Sequence, residues 1–248
     1  LLGISAKESI KQSILKKVNV VTVEPIIIDP TFYYLIIETT VNYDPITLLT
    51  DSTILESKVE EIIKRYLITN LEKFNQKFRY SQLVQDIDNV DDSIRNNKTS
   101  IKYQQRIRPN ILTSPFTYVL NFNNKLEKGS VSSTSFTGSD GNTYSLLDNS
   151  EGYVRSARTT NGEVDRPYVF LTQPDGSINQ GTIDYDTGKI TLNSLRLLGV
   201  TDGSEEVRIN VTPEINNSDI TPLREQILTY DANDTTSITV NTVAETII

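Results

Sequence analysis

The densest group of side chains able to do chemistry is acidic: Asp86, Asp88, Asp91 and Asp92 lie close together in "SQLVQDIDNVDDS". Carboxylates at such spacing suit a hard cation such as calcium. With Asp86 in the first position of a calcium loop, however, the glycine position holds Asp91 and the bidentate-glutamate position holds Asn97. The run therefore reads as the solvated end of a helix. Composition closes other routes, because the 248 residues include no histidine and no cysteine. Cysteine and histidine zinc sites, disulfides and histidine-dependent hydrolase triads are all impossible within this chain. There is no G-x-S-x-G elbow, phosphate-binding loop or dinucleotide fingerprint. The glycines of "GSDGNTY" and "NGEVD" lie between strand-like runs and open no helix, so turn chemistry accounts for them. A carboxylate-only magnesium or calcium site stays open but unsupported. A carboxylate glycosidase would need two acids about 5 to 9.5 Å apart, which spacing along the chain does not set. No catalytic, cofactor-binding or metal residue is singled out, no cofactor is expected, and the interface residues are left undetermined.

Binding signals are equally sparse. The net charge of -8 disfavours phosphate backbones and anionic lipids. The basic clusters Lys11, Lys16 and Lys17, and Arg106 with Arg108, read as solvated faces. The apolar run "VNVVTVEPIII" is interrupted by Asn19, Thr22, Glu24 and Pro25 and falls short of the roughly 20 residues a membrane helix needs. Neither nucleic acid nor membrane is expected as a partner. Tyr144, Tyr153 and Tyr168 could form a sugar-binding platform, although half-buried strand tyrosines are the commoner reading. The sequons at Asn97, Asn210, Asn216 and Asn233 are those that a chain rich in Asn, Ser and Thr yields by chance. The start at Leu1 and the absence of methionine predict that the chain is part of a longer one.

The elements that would carry such groups are easier to read. "SAKESIKQSILKKVNV" spaces Ile10, Ile14 and Val18 for a short amphipathic helix over about 6–16, and Val18, Val20, Val21 and Val23 predict a strand after it. In "TFYYLIIETTVNY" the alternation places Tyr33, Leu35, Ile37, Thr39, Val41 and Tyr43 on a core face. Thr53 and Glu56 have capping-box spacing. Behind them a stripe of Leu55, Val59, Ile62, Ile63, Tyr66, Leu67, Leu71 and Phe74 predicts a long helix that must lie on a sheet or a partner. "SQLVQDI" predicts a short helix, and "SIKYQQRI" a strand with Ile101, Tyr103 and Gln105 on one face. Beyond Pro109 and Pro115 turn signals crowd between short alternating runs. In "QGTIDYDTGKITL" a hairpin turn over Asp186, Thr187 and Gly188 separates Ile183 and Tyr185 from Ile190 and Leu192. The expected class is α+β. Residues 1–110 form a domain with helices packed on one face of a small mixed sheet, 111–212 a β-rich hairpin module, and 213–248 a C-terminal arm that docks on something.

Two stretches carry a resemblance. "VEPIIIDPTFYYLIIETTVNYDP", with the long helix and "SQLVQDIDNV" behind it, and "GTIDYDTGKITL" together resemble the baseplate J-like family of contractile phage tails, which includes the wedge component of T-even-type baseplates. The similarity covers roughly residues 16–105 and 181–192. It implies a non-enzymatic virion protein of the tail baseplate, assembled in the host cytoplasm, that self-associates as a homodimer and contacts other wedge subunits. The family has no catalytic residues to transfer. A carbohydrate-binding or adhesin-like β module is the alternative, and a carboxylate glycosidase comes third.

Overall fold

A computed structural model describes residues 3–18, 25–27, 29–109, 116–173, 175–214 and 219–245. The strand expected over Val20–Val23 lies outside them. Helix α1 (Ile4–Ile10) continues through a π-helical turn (Lys11–Leu15) into α2 (Lys16–Val18), longer than the spacing predicts, and none of its residues is buried. Strand β1 (Thr31–Tyr43) buries Tyr33, Leu35, Ile37, Thr39 and Val41, the face that the alternation selects.

Helix α3 (Ser52–Asn70) lays Leu55, Val59, Ile63, Tyr66 and Leu67 into the core, and Leu71 follows at its end. Ile62 is only half-buried and Phe74 is exposed, because the stripe drifts off the core face and the helix stops before Phe74. The capping box does not form. Asp51 precedes the helix without a side-chain cap, and Glu56 instead accepts a 2.8 Å hydrogen bond from the Thr242 hydroxyl. The buried Tyr66 hydroxyl donates to the Arg79 carbonyl at 3.1 Å and accepts from the Arg79 amide at 2.9 Å, fixing the approach to α4 (Tyr80–Asp88). Strand β2 (Ile94–Ile107) then runs antiparallel to β1, with Leu35 opposite Tyr103 and Ile37 opposite Ile101.

The expected α+β class is wrong. Strand makes up 40% of the structure and helix 19%, and the strands form a curled half-barrel instead of a small sheet under helices. The physical reason lies at β2, whose far edge is not free. β12 (Val207–Val211) pairs with it antiparallel, Val207 opposite Ile107 and Val211 opposite Tyr103. Alternation along a strand fixes which side chains face the core but leaves the hydrogen-bonding neighbour unspecified. From β12 the sheet passes through β4 (Ser132–Ser133), β6 (Thr143–Asp148), β7 (Tyr153–Thr160), β9 (Asn179–Asp184) and β10 (Lys189–Leu195) to β3 (Phe116–Asn121). The short pairs β5 (Phe136–Thr137) with β11 (Gly199–Val200), and β8 (Glu163–Val164) with β7, lie off this path.

At the other end, β13 (Gln226–Thr229) and β14 (Ile238–Ala244) share one edge of β1, both parallel to it. β13 ends opposite Tyr34 and β14 starts opposite Ile37, so the two act as one strand interrupted by a loop, Tyr230–Ser237. One hydrophobic core runs from Leu55 and Val59 under α3 to Ile190 and Leu192 of the hairpin, with Phe122 standing edge-on to both Tyr33 and Tyr103. The β9–β10 hairpin forms with a turn of Tyr185–Gly188, one residue longer than predicted, since Asp184 already pairs with Lys189. The Asp184 carboxylate accepts from the amides of Asp186 and Thr187, and Gly188 takes φ +69°.

Candidate interaction surface

The acidic run sits where the helix reading puts it, along α4 and in the turn before β2. Asp91 accepts from the Ser93 hydroxyl at 2.8 Å, the Ser93 amide at 3.1 Å and Lys58 Nζ at 3.2 Å. The two Ser93 hydrogen bonds, aided by Lys58, hold its carboxyl below the usual carboxylate range. Asp88 accepts from Asn97 Nδ2 at 2.7 Å, which also leaves that sequon's asparagine engaged. Among the described residues no group of three potential ligands is placed to hold a metal ion. Asn210 of a second sequon accepts from Gln104, and Asn216 lies outside the described residues.

Arg106 and Arg108, read above as a solvated pair, divide. Arg108 is exposed, whereas Arg106 is largely buried: its guanidinium lies 3.8 Å over the Tyr34 ring, and Nη2 donates to Asp231 at 2.6 Å. Arg208 on β12 reaches Asp234 at 2.9 Å. Both acids belong to the Tyr230–Ser237 loop, which is therefore pinned across β1 onto β2 and β12. Burial pushes the Asp231 carboxyl up, but the hydrogen bonds from Arg106 and the Asn233 amide outweigh it and the net shift is down. Asp234 is also lowered, chiefly by the Thr236 hydroxyl. A hollow between this loop and α3 is lined by Glu56, Glu60, Asp231 and Asp234. Each of these carboxylates already has a partner: Thr242, Lys64, Arg106 and Arg208 respectively. Glu60, Asp231 and Asp234 are paired with cations and Glu56 is held by a hydroxyl, contacts that hold structure together.

The three tyrosines considered for a sugar platform do not come together as one. Tyr144 is buried, and its hydroxyl, donating to Asp140 at 2.7 Å, is pushed up to about 12 by burial and then by that carboxylate. Tyr153 and Tyr168 are exposed. Tyr168 stacks on Phe170 with centroids 5.7 Å apart, Arg166 lies 4.6 Å over the Tyr168 ring, and Arg155 lies 5.4 Å over Phe170. The Tyr168 and Phe170 rings are thus engaged by each other and by guanidinium groups, an arrangement typical of contacts between proteins. Only Tyr168 of this group was legible in the sequence. Arg155 arrives from β7, and nothing in local spacing announces the meeting.

Other exposed apolar side chains include Phe116 and Val119 on β3, Ile46 and Leu49 between β1 and α3, Ile54 and Ile68 on α3, and Ile14 and Val18 on the N-terminal helix. Among the described residues no helix is long and apolar enough to cross a membrane. A surface with aromatic and arginine clusters, paired acids and open strand edges is suited to contacts with other proteins.

The unit β1–α3–α4–β2, in which both helices follow one strand and precede its antiparallel neighbour, is also where the chain is similar to a known family. No curated protein matches the chain. Residues 31–106 match the model of the family described as baseplate structural protein gp6, C-terminal domain III. That family is not the baseplate J-like one, and the β9–β10 hairpin lies outside the match. The matched segment begins at the first residue of β1 and stops one residue before the end of β2, and it supports the reading of the chain as a phage baseplate structural protein.

Proposed function

We propose that the protein is a wedge-type subunit of a contractile tail baseplate, working through contacts with copies of itself and with other baseplate proteins. The match of β1–α3–α4–β2 to a baseplate structural domain carries this reading. The surface described above favours it, since the acids with geometry close enough for chemistry are tied up in ion pairs and turns. In this role the protein is a virion component without catalysis of its own, and a homodimer is the simplest form of its self-association. The test is light scattering on the purified chain over a concentration series, alone and with the baseplate proteins of its own tail. Concentration-dependent association to a dimer or beyond, or a complex of fixed stoichiometry, is expected. A chain that stays monomeric and ignores those proteins would overturn the reading.

A further inference from the structure

The stack Arg166–Tyr168–Phe170–Arg155 has the composition of an interface centre, in which tyrosine and arginine are enriched. Arg166 and Tyr168 are exposed. Neither Arg155 nor Arg166 forms an ion pair among the described residues. The Arg155 Nε instead donates to Asn179 at 3.0 Å, and two nearby carboxylates along the chain, Glu151 and Asp165, are taken by Asn149 and Arg158. Two guanidiniums without carboxylates, ordered on aromatic rings, are thus displayed by a chain of net charge -8.

The complement is on the same molecule. Asp88 and Asp92, at the end of α4 and in the turn after it, are exposed and without a basic partner among the described residues. β2, against which α4 packs, is separated from β7 by β12, β4 and β6, and among the described residues no hydrogen bond or ion pair joins the stack to this acidic corner within the chain. We propose that the arginine–aromatic stack formed by Arg155 of β7 and the Arg166–Phe170 segment beside it docks the Asp88–Asp92 corner of a second copy, giving a head-to-tail contact. The inference rests on the self-associating reading above. Such a contact uses two different patches and leaves one of each free, so it adds copies into a ring or a filament instead of stopping at a pair. It also weakens with salt, because the paired charges lie at the surface.

The experiment is light scattering on the full chain at low and at high ionic strength. The parent should grow beyond the mass of a dimer at low salt and less at high salt. Arg155→Glu with Arg166→Glu, and separately Asp88→Lys with Asp92→Lys, should each raise the concentration needed for that growth at least tenfold. The chain carrying all four changes should regain it. If a double variant loses its cooperative thermal transition, the exposed single changes Arg166→Glu and Asp92→Lys replace it. Growth of the reversed variants equal to the parent's would overturn the docking contact and leave self-association intact. A parent that stops at a dimer would do the same, whereas a parent that stays monomeric would overturn both.

Discussion

Gln226 Nε2 donates a 2.8 Å hydrogen bond to the carbonyl of Asn121, joining β13 to the end of β3, the two extremes of the ten-strand path. The Tyr33 hydroxyl donates to the same carbonyl at 2.6 Å, and Gln226 Oε1 accepts from the Leu223 amide at 2.8 Å. Burial accordingly drives the Tyr33 phenol far above its ordinary pKa. The curl of the sheet is closed by the polar ends of two buried side chains, Tyr33 and Gln226. Gln226→Leu should therefore cost about 1–3 kcal/mol, because the Leu223 amide loses its buried acceptor. Urea unfolding would show a lower midpoint at an unchanged slope. A variant as stable as the parent would mean that packing alone closes the curl.

Gly188 and Gly141 both hold positive φ, but only one is crowded. A Cβ on Gly188 would sit 2.3 Å from the Asn124 carbonyl oxygen, whereas one on Gly141 would meet nothing within 4 Å. Gly141→Ala should cost only the left-handed strain, about 1–2 kcal/mol. Gly188→Ala should cost clearly more, since backbone must move. Thermal midpoints of the two variants give the comparison, and equal values would remove the steric argument.

Ile63 has no exposed surface and faces the sheet from α3. Ile63→Asp would bury an unpaired carboxylate, at a cost of several kcal/mol that should abolish the cooperative transition. Ile62→Asp, one position round the helix and half-buried, should retain it. Circular dichroism melts of the two decide the matter.

Acid should release the Tyr230–Ser237 loop. The hydrogen bonds that Asp231 and Asp234 accept hold both carboxyls below their ordinary range in the folded chain. Depressed carboxyls contribute stability that is present above the unfolded value and is lost as pH falls through the folded ones. Stability measured by urea unfolding should hold down to about pH 4 and then decline. In Asp231→Asn the protein should be weaker near neutrality and its acid decline shallower. An unchanged slope with pH would show that this loop is not the acid-sensitive part.

Much of the local structure was legible because it repeats with a short period. The core face of β1, the buried stripe of α3, the existence of α4 and the β9–β10 hairpin all follow from spacing within a few turns or residues. What spacing could not supply was the neighbour of each strand. β2 pairs with β12 across a separation of about a hundred residues, and Gln226 reaches Tyr33 from the far end of the chain. The "REQILTY" and "TSITVNTV" runs read as part of an arm that docks on something, and each pairs with β1. Likewise the stack on β7 depends on Arg155 meeting a segment folded back from beyond β8, so only Tyr168 could be picked out in advance.

The shared edge of β1 has a mechanical consequence. β14 runs parallel to β1 over seven paired positions, from Ile37 with Ile238 to Tyr43 with Ala244. Tension applied between the start of β1 and the end of β14 would load those backbone hydrogen bonds together, in shear, instead of peeling them off one at a time. Peeling needs one bond to fail per step, whereas shear needs the whole set to give way at once. A segment fastened in this way resists a sudden pull far better than its equilibrium stability suggests, and it can pass force into the sheet before it detaches.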